Sequence, residues 1–493
     1  MSQDSPLLQN ASEQTDNPES TAITARNNLV IGLLLVSAFV VILNETIMSV
    51  AIPVLMADLR IEASAAQWLT TAFMLTMAVV IPVTGFLLQR FHTRTIFLAA
   101  MIFFTSGTLL SALAPGFGVL VVGRVVQASG TAIMMPLLMT TVMTLVPPAS
   151  RGKTMGNISI VMSVAPAIGP TISGLILSVL DWRWMFWLVL PIAIAALVLG
   201  AARIQNVTEP RKVPVDILSV ILSAFAFGGL IYGLSSLAEA ARGVVSMPVW
   251  VPLTVGSVAL VLFVIRQLRL QSADRALLDL RVFSSKTFTI ATSLLVISML
   301  ALFGTIIVLP IYVQNVLGLD PLVTGLLLLP GGLLMGLLGP VVGRIYDRRG
   351  PGVLVVPGSM IVSAVFWGMT LLGENTPFLF VLAAHLGLSV GLALLFTPVF
   401  TSALGSLKPQ LYSHGSATIG TVQQLAGAAG TALFITVMTA QAVSLGSEGV
   451  SDVSATAGGI QAAFVSGAII SLAAVAAAFF VRKPTDALQT APA

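Results

Sequence analysis

Fourteen apolar stretches dominate this chain, and each is long enough for a helix to cross a ~30 Å hydrocarbon core. They fall near 29–53, 65–88, 95–114, 118–146, 154–180, 184–201, 215–237, 249–267, 288–315, 323–343, 352–372, 377–404, 416–443 and 460–481. Inside hydrocarbon, every backbone N–H and C=O must find its partner within the protein, and a continuous helix does this within one segment. Composition agrees, with 57% hydrophobic and only 9% charged residues, whereas a soluble domain carries about a quarter charged. The expected fold class is an all-α polytopic membrane protein with 14 transmembrane helices.

The basic residues set its orientation. Of the 23 Lys and Arg, 19 fall on one side if the spans alternate, in loops that include Arg90, Arg94, Arg151, Lys153, Arg344, Arg348 and Arg349. Arg60, Arg183 and Arg242 fall on the other. By the positive-inside rule the first side is cytoplasmic, which predicts an N-in, C-in topology. The chain lacks cysteine and its three His residues are scattered, so neither a disulfide framework nor a metal site is expected. The basic residues lie in short loops and do not suggest nucleic acid. No cleavable signal peptide is expected, because the run from Leu29 is too long for one.

An internal repeat divides the chain. Gly85 through Gln89 and Arg90 closes span two, and Gly343 through Asp347 and Arg348 closes span ten. Both read Gly, three residues, a polar residue, Arg. Ahead of each copy, a helix is expected to end at an outer proline, Pro53 or Pro310. Eight spans separate the copies, where two six-span halves alone would give six. Spans seven and eight therefore read as an inserted hairpin in a 6+2+6 arrangement. The domains expected are a disordered cytoplasmic tail at 1–25, an N-terminal six-helix bundle at 26–203, a linker with two extra helices at 204–275, a C-terminal six-helix bundle at 276–483, and a cytoplasmic tail at 484–493.

One acid remains in the membrane once loops and tails are set aside, Glu45, and one base, Arg124. An ionisable group at the bilayer centre costs ~2.5–3.5 kcal/mol on insertion scales, and such groups are mostly functional. At 1.5 Å per residue, Glu45 lies ~12 Å below Pro53 and Arg124 ~9 Å below Gly118. The matching depths predict that both face one central cavity. Burial favours a neutral carboxylic acid and a nearby guanidinium the charged one. Moving Arg124 or a cationic cargo relative to Glu45 would then bind or release a proton. The alternative is a static staple between spans one and four.

Other polar groups extend this cavity. Asn44 precedes Glu45, Gln127 and Thr131 continue the Arg124 face, and Gln423 and Gln424 sit mid-span in the thirteenth helix. Each is a candidate cavity residue or interhelical glue. His385, in the counterpart of the fourth span, is either a second titrating group or a neutral hydrogen-bonded one. Met134, Met135, Met139 and Met143 read as packing or as an adaptable apolar surface. Trp182, Trp184 and Trp187 with Arg183 read as an interfacial anchor. Arg151-Gly152-Lys153-Thr154 has the ending of a phosphate loop, but the glycine that motif requires falls at Pro147, so no nucleotide site is expected.

These residues together resemble the fourteen-span drug/proton antiporters of the major facilitator superfamily over 29–482. The resemblance rests on Leu43 to Pro53, Gly85 to Arg94, Arg124 to Gly130, Ala165 to Gly174 with Pro166, Gly169 and Pro170, Trp182 to Phe186, Leu278 to Phe283, and Leu309 to Gln314. It is strongest to bacterial exporters of the lincomycin-resistance type. The family often carries Asp where Asn44 stands; here the acid comes one residue later. It usually carries Asp and Gly where Gln89 and His92 stand, while the second copy keeps Asp347 and Gly350. An acid–base latch is therefore expected in the C-terminal copy.

The resemblance implies that the 165–174 stretch helps seal a route during alternation; the alternative is a kinked packing helix. It further implies a proton-coupled exporter of small amphipathic, drug-like or antibiotic compounds, working by alternating access. Such a protein would be a monomer in the plasma membrane, of a bacterial inner membrane type. Its partners would be a small molecule, protons and lipid, with no cofactor and no enzymatic site. An exporter of a metabolite such as an amino acid, diamine or siderophore is the alternative cargo class; a non-transporting receptor or scaffold is the alternative outside transport.

Overall fold

A computed structural model describes residues 18–206, 210, 214–240 and 247–482. The first tail expectation lies outside it up to residue 17, and the last from residue 483. From Pro18 the chain is already helical. Fourteen long helices follow: α1 (Pro18–Leu59), α2 (Ala63–Arg90), α3 (Thr93–Ala112), α4 (Phe117–Leu145), α5 (Arg151–Val179), α6 (Trp184–Arg203), α7 (Ile217–Ala240), α8 (Trp250–Leu270), α9 (Lys286–Ile311), α10 (Pro321–Arg349), α11 (Gly352–Met369), α12 (Phe378–Gly405), α13 (Tyr412–Ser447) and α14 (Asp452–Ala478). All fourteen contain a segment long and apolar enough to span a membrane.

Two helix ends differ from expectation. Neither Pro53 nor Pro310 terminates its helix. α1 runs through Pro53 to Leu59, and α9 passes Pro310 before a π-helical turn at Tyr312–Val316. A proline removes one backbone donor and bends a helix, but in an apolar surround, stopping the helix would expose more groups than continuing it. Glu45 consequently lies deeper along α1 than a helix ending at Pro53 would place it.

α1–α6 and α9–α14 each pack among themselves and also against one another. Within the first set, α3 lies against α4 and α6, α1 against α5, and α2 against α4. Within the second, α13 lies against α9 and α14, and α11 and α10 against α12. The sets meet chiefly along α5 with α10 and α2 with α13. α7 and α8 form a hairpin; α7 packs on both α2 and α13.

Trp182 does not face lipid; it is buried inside the protein. It is 1% exposed, its Nε1 donates to Asp58 Oδ2 at 2.7 Å, and the Arg183 guanidinium lies 4.1 Å from its ring centre. An indole with its N–H satisfied buries its full apolar body. Trp184 and Trp187 remain exposed, as an anchor requires.

Candidate functional site

α1 and α4 bring Arg124 and Asn44 together and leave Glu45 beside them. Arg124 is 1% exposed. Its Nη1 donates to Gln127 Oε1 at 2.7 Å and to Asn44 Oδ1 at 3.4 Å. The guanidinium stands over the Phe73 ring of α2, 4.0 Å from its centre. Gln127 donates to Thr108 Oγ1 on α3 at 2.7 Å, and Thr108 donates to the Phe104 carbonyl. The cation is thus held by two amide oxygens and a ring face, all neutral. Guanidinium over an aromatic face is favourable, and more so where water is excluded.

The offset between Asn44 and Glu45 now has a structural consequence. Neighbours on a helix point ~100° apart, so Asn44 takes the guanidinium and Glu45 points aside. Glu45 is partly exposed. Among the described residues it accepts no hydrogen bond and forms no ion pair, yet it lies within electrostatic reach of Arg124. The next residue, Thr46, faces α5, where a Cβ on Gly169 would fall 2.2 Å from Thr46 Oγ1. Gly169 therefore lets α5 pass close beside the acid. Pro166 and Pro170 flank that approach half-buried, and Gly174 is exposed with open space around it.

Of the other candidates, Thr131 is buried and donates to its own helix at the Gln127 carbonyl. Gln423 lines a small hollow between α4, α12 and α13 with Met135, Met139, Phe400 and Ile419. Met134 and Met143 are packed away. Gln424 turns toward Met77 of α2, its Nε2 3.8 Å from the sulfur. His385 pairs with α10: its Nε2 is 3.2 Å from the Leu328 carbonyl, and a Cβ on Gly331 would fall 2.2 Å from it. It thereby bridges α12 and α10.

The inner ends of the two helix sets are closed. Asp347 accepts from the backbone N–H of Gly152 at 2.7 Å and of Lys153 at 2.8 Å. These are two of the unpaired donors at the start of α5, and Ser150, the residue at its N-cap, supplies no side-chain cap. The acid of the C-terminal repeat thus caps a helix of the N-terminal set. Below it the backbones touch: a Cβ on Gly343 would fall 2.1 Å from the Gly152 carbonyl oxygen, and one on Gly156 2.3 Å from that of Gly339. At the N-terminal copy, Gly85 packs on Ala417, Gln89 donates to the Gln410 carbonyl at 3.0 Å, and Arg90 lies over Phe86 and Phe91. Ser159 with Thr397 and Thr140 with Ser416 complete the seal. Arg348 is exposed and makes no hydrogen bond or ion pair among the described residues. Toward the outer end the pair loosens, and Gly174 and Gly325 have nothing within 4 Å of a Cβ position.

Thr108 and Phe73 were not legible as site residues in the sequence. Thr108 is one hydroxyl among many, and Phe73 one aromatic among 24 Phe.

A chain of fourteen helices of membrane-spanning length, with a buried guanidinium cluster on α1–α4, has the build of a polytopic membrane protein. A family model described as Major Facilitator Superfamily matches residues 34–431. The lincomycin resistance protein LmrB of Listeria monocytogenes is 41% identical over 459 residues, covering 92% of this chain and 96% of that protein. The multidrug resistance protein B homolog of Mycobacterium tuberculosis is 30% identical over 415 residues, covering 83% and 76%. The human organic anion transporter MFSD10 shares the fold, with a TM-score of 0.66 at 15% identity over 92% of this chain and 99% of that one. The chain belongs to the Major Facilitator Superfamily. It is a multi-pass transporter of the plasma membrane, not an enzyme.

Proposed function

We propose that this transporter exports small amphipathic, drug-like or antibiotic compounds in exchange for protons, with Glu45 as the coupling acid. The supporting observation is the division of labour on α1. Arg124 is held by the neutral Asn44, Gln127 and Phe73, which leaves Glu45 free of hydrogen bonds among the described residues. A carboxyl not committed to a static pair can exchange its proton for a cargo cation or for a shift of the guanidinium. A staple would show the opposite, a bonded pair.

The class of cargo is supported by the names of the relatives, lincomycin and multidrug resistance proteins. In this reading the bundles at 26–203 and 276–483 rock about the site, with the Asp347 cap and the glycine contacts of α5 and α10 forming the inner gate.

The test is an efflux panel of drugs and metabolites in a host deleted for its own pumps, with and without a protonophore. Wild type should lower drug accumulation in a protonophore-sensitive way, and Glu45→Gln should not. Proton-coupled efflux retained in Glu45→Gln would refute the role of the acid. Efflux of amino acids, diamines or siderophores alone would reassign the cargo.

A further inference from the structure

We infer that the α7–α8 hairpin and the segment joining it to α9 travel as one body with the C-terminal helices, and that α2 slides across α7 when the transporter changes state. This rests on the alternating-access reading above. The hairpin does not stand apart from the machinery. α7 lies over the seam where α2 meets α13, so it contacts both moving parts at once. It cannot keep both contacts if the parts rotate against each other.

The two attachments differ in what backs them. On the C-terminal side α7 shares its apolar cluster with Ala417, Leu425 and Ala428 of α13, and a chain of polar ties, buried at Gln267 and Ser219, reinforces it. Gln267 on α8 is fully buried and accepts from the backbone N–H of Leu277 at 2.8 Å and of Leu278 at 3.2 Å. Its own amide donates to Ser219 Oγ of α7 at 2.8 Å. Arg266 and Asp216 add a two-pronged pair between the same helices, at 2.7 and 2.6 Å. The joining segment then docks on the second helix set. Leu277 and Leu278 share an apolar cluster with Ala417 of α13, Ser285 donates to Ser406 after α12 at 2.9 Å, and Phe283 packs edge-on against Phe288 of α9.

On the α2 side the contacts of α7 are apolar. Ala78 and Phe86 share a buried cluster with Ala226, Phe227 and Ile231. A Cβ on Gly228 would only just reach Val79, at 4.0 Å, and Trp68 stacks on Tyr232 at 6.0 Å. Apolar surfaces can slide without unmaking directional bonds, whereas a buried amide that loses its partners is left unsatisfied. Sliding between packed helices is a common form of domain motion.

The chain has no cysteine, so introduced pairs are its only thiols. Phe91 after α2, Ile217 on α7 and Gln410 before α13 are all exposed at the inner end. Spin labels on these three, taken pairwise in the full-length protein in nanodiscs, report the relative motion. Asp347→Asn, which removes one of the two carboxylate acceptors at the start of α5, serves to loosen the inner gate. The expected result is that the Phe91–Gln410 and Phe91–Ile217 distances shift by several ångströms while Ile217–Gln410 stays constant. If Phe91–Gln410 shifts but Ile217 follows Phe91, the inference fails and alternating access stands. If no pair shifts, both fail. As a functional check, a short thiol crosslink between Val79→Cys and Gly228→Cys should stop efflux until reduced, and one between Ser285→Cys and Ser406→Cys, whose hydroxyls meet at 2.9 Å, should not. Trp68→Cys with Tyr232→Cys replaces the first pair if that variant does not fold. Efflux that survives the α2 crosslink, or is stopped by the Ser285–Ser406 crosslink, overturns the inference.

Discussion

Among single residues, the guanidinium cradle carries the sharpest expectation. Phe73 contributes no hydrogen bond, only a ring face 4.0 Å from the Arg124 guanidinium. Cation–π contacts run from about 0.5–1 kcal/mol when exposed to about 2 or more when desolvated. Phe73→Leu keeps the apolar bulk and removes the π face. Efflux should fall by up to about thirtyfold by the 1.4 kcal/mol rule, with little change in melting temperature. A proportional loss of thermal stability would mean that the ring is only packing. Glu45, Arg124, Asn44 and Gln127 were legible in the sequence because a charge in hydrocarbon is conspicuous and its i+3 neighbour shares its face. Phe73 and Thr108 were not, since a phenylalanine or threonine in a membrane helix costs little and so signals nothing.

Helix ends and helix contacts decide the state of the gate. Asp347 completes α5 from another part of the chain, 195 residues away from Gly152. An acidic cap contributes roughly 0.5–2 kcal/mol, so Asp347→Asn should shift the inner-closed population by between about twofold and thirtyfold. Alkylation of a cysteine placed at Thr140, buried beneath this gate, should speed up accordingly; an unchanged rate would relieve Asp347 of the gating role. Gly343 gives a stronger perturbation, because its Cβ would meet backbone rather than a movable side chain. Gly343→Val should still insert in the membrane but lose efflux, since α5 and α10 could no longer close. The Gly-x-x-x-polar-Arg spacing revealed Asp347 in the sequence. Its partner stayed hidden, because backbone amides at a helix start carry no residue signature. The same holds for α1, whose course through Pro53 is decided by its surroundings and not by the proline.

For the molecule as a whole, acid dependence and energy supply can be separated. Asp216, just before α7, has its pKa held down to about 2, chiefly by the hydrogen bond from Arg266. Its stabilising pair is therefore complete above the ordinary carboxylate range near 4 and is lost only as pH falls toward 2. Between pH 5 and 8 the hairpin tie should not change, and any pH dependence of efflux there should survive Asp216→Asn. The driving force is then limited by the number of coupling acids. One inward proton supplies ~2.3 kcal/mol per 100 mV and ~1.4 kcal/mol per pH unit. For a neutral cargo, 100 mV and one pH unit together sustain a gradient of a few hundred-fold. For a monocation exchanged one for one, the electrical work cancels and about tenfold remains. In proteoliposomes, collapsing the membrane potential with valinomycin and potassium should thus depress export of a neutral substrate and leave that of a monocation unchanged. A monocation gradient well above tenfold per pH unit would demand a second proton. With Glu45 the one acid read inside the spans, the next group to test would be His385, whose bond to the Leu328 carbonyl would have to open for it to take part.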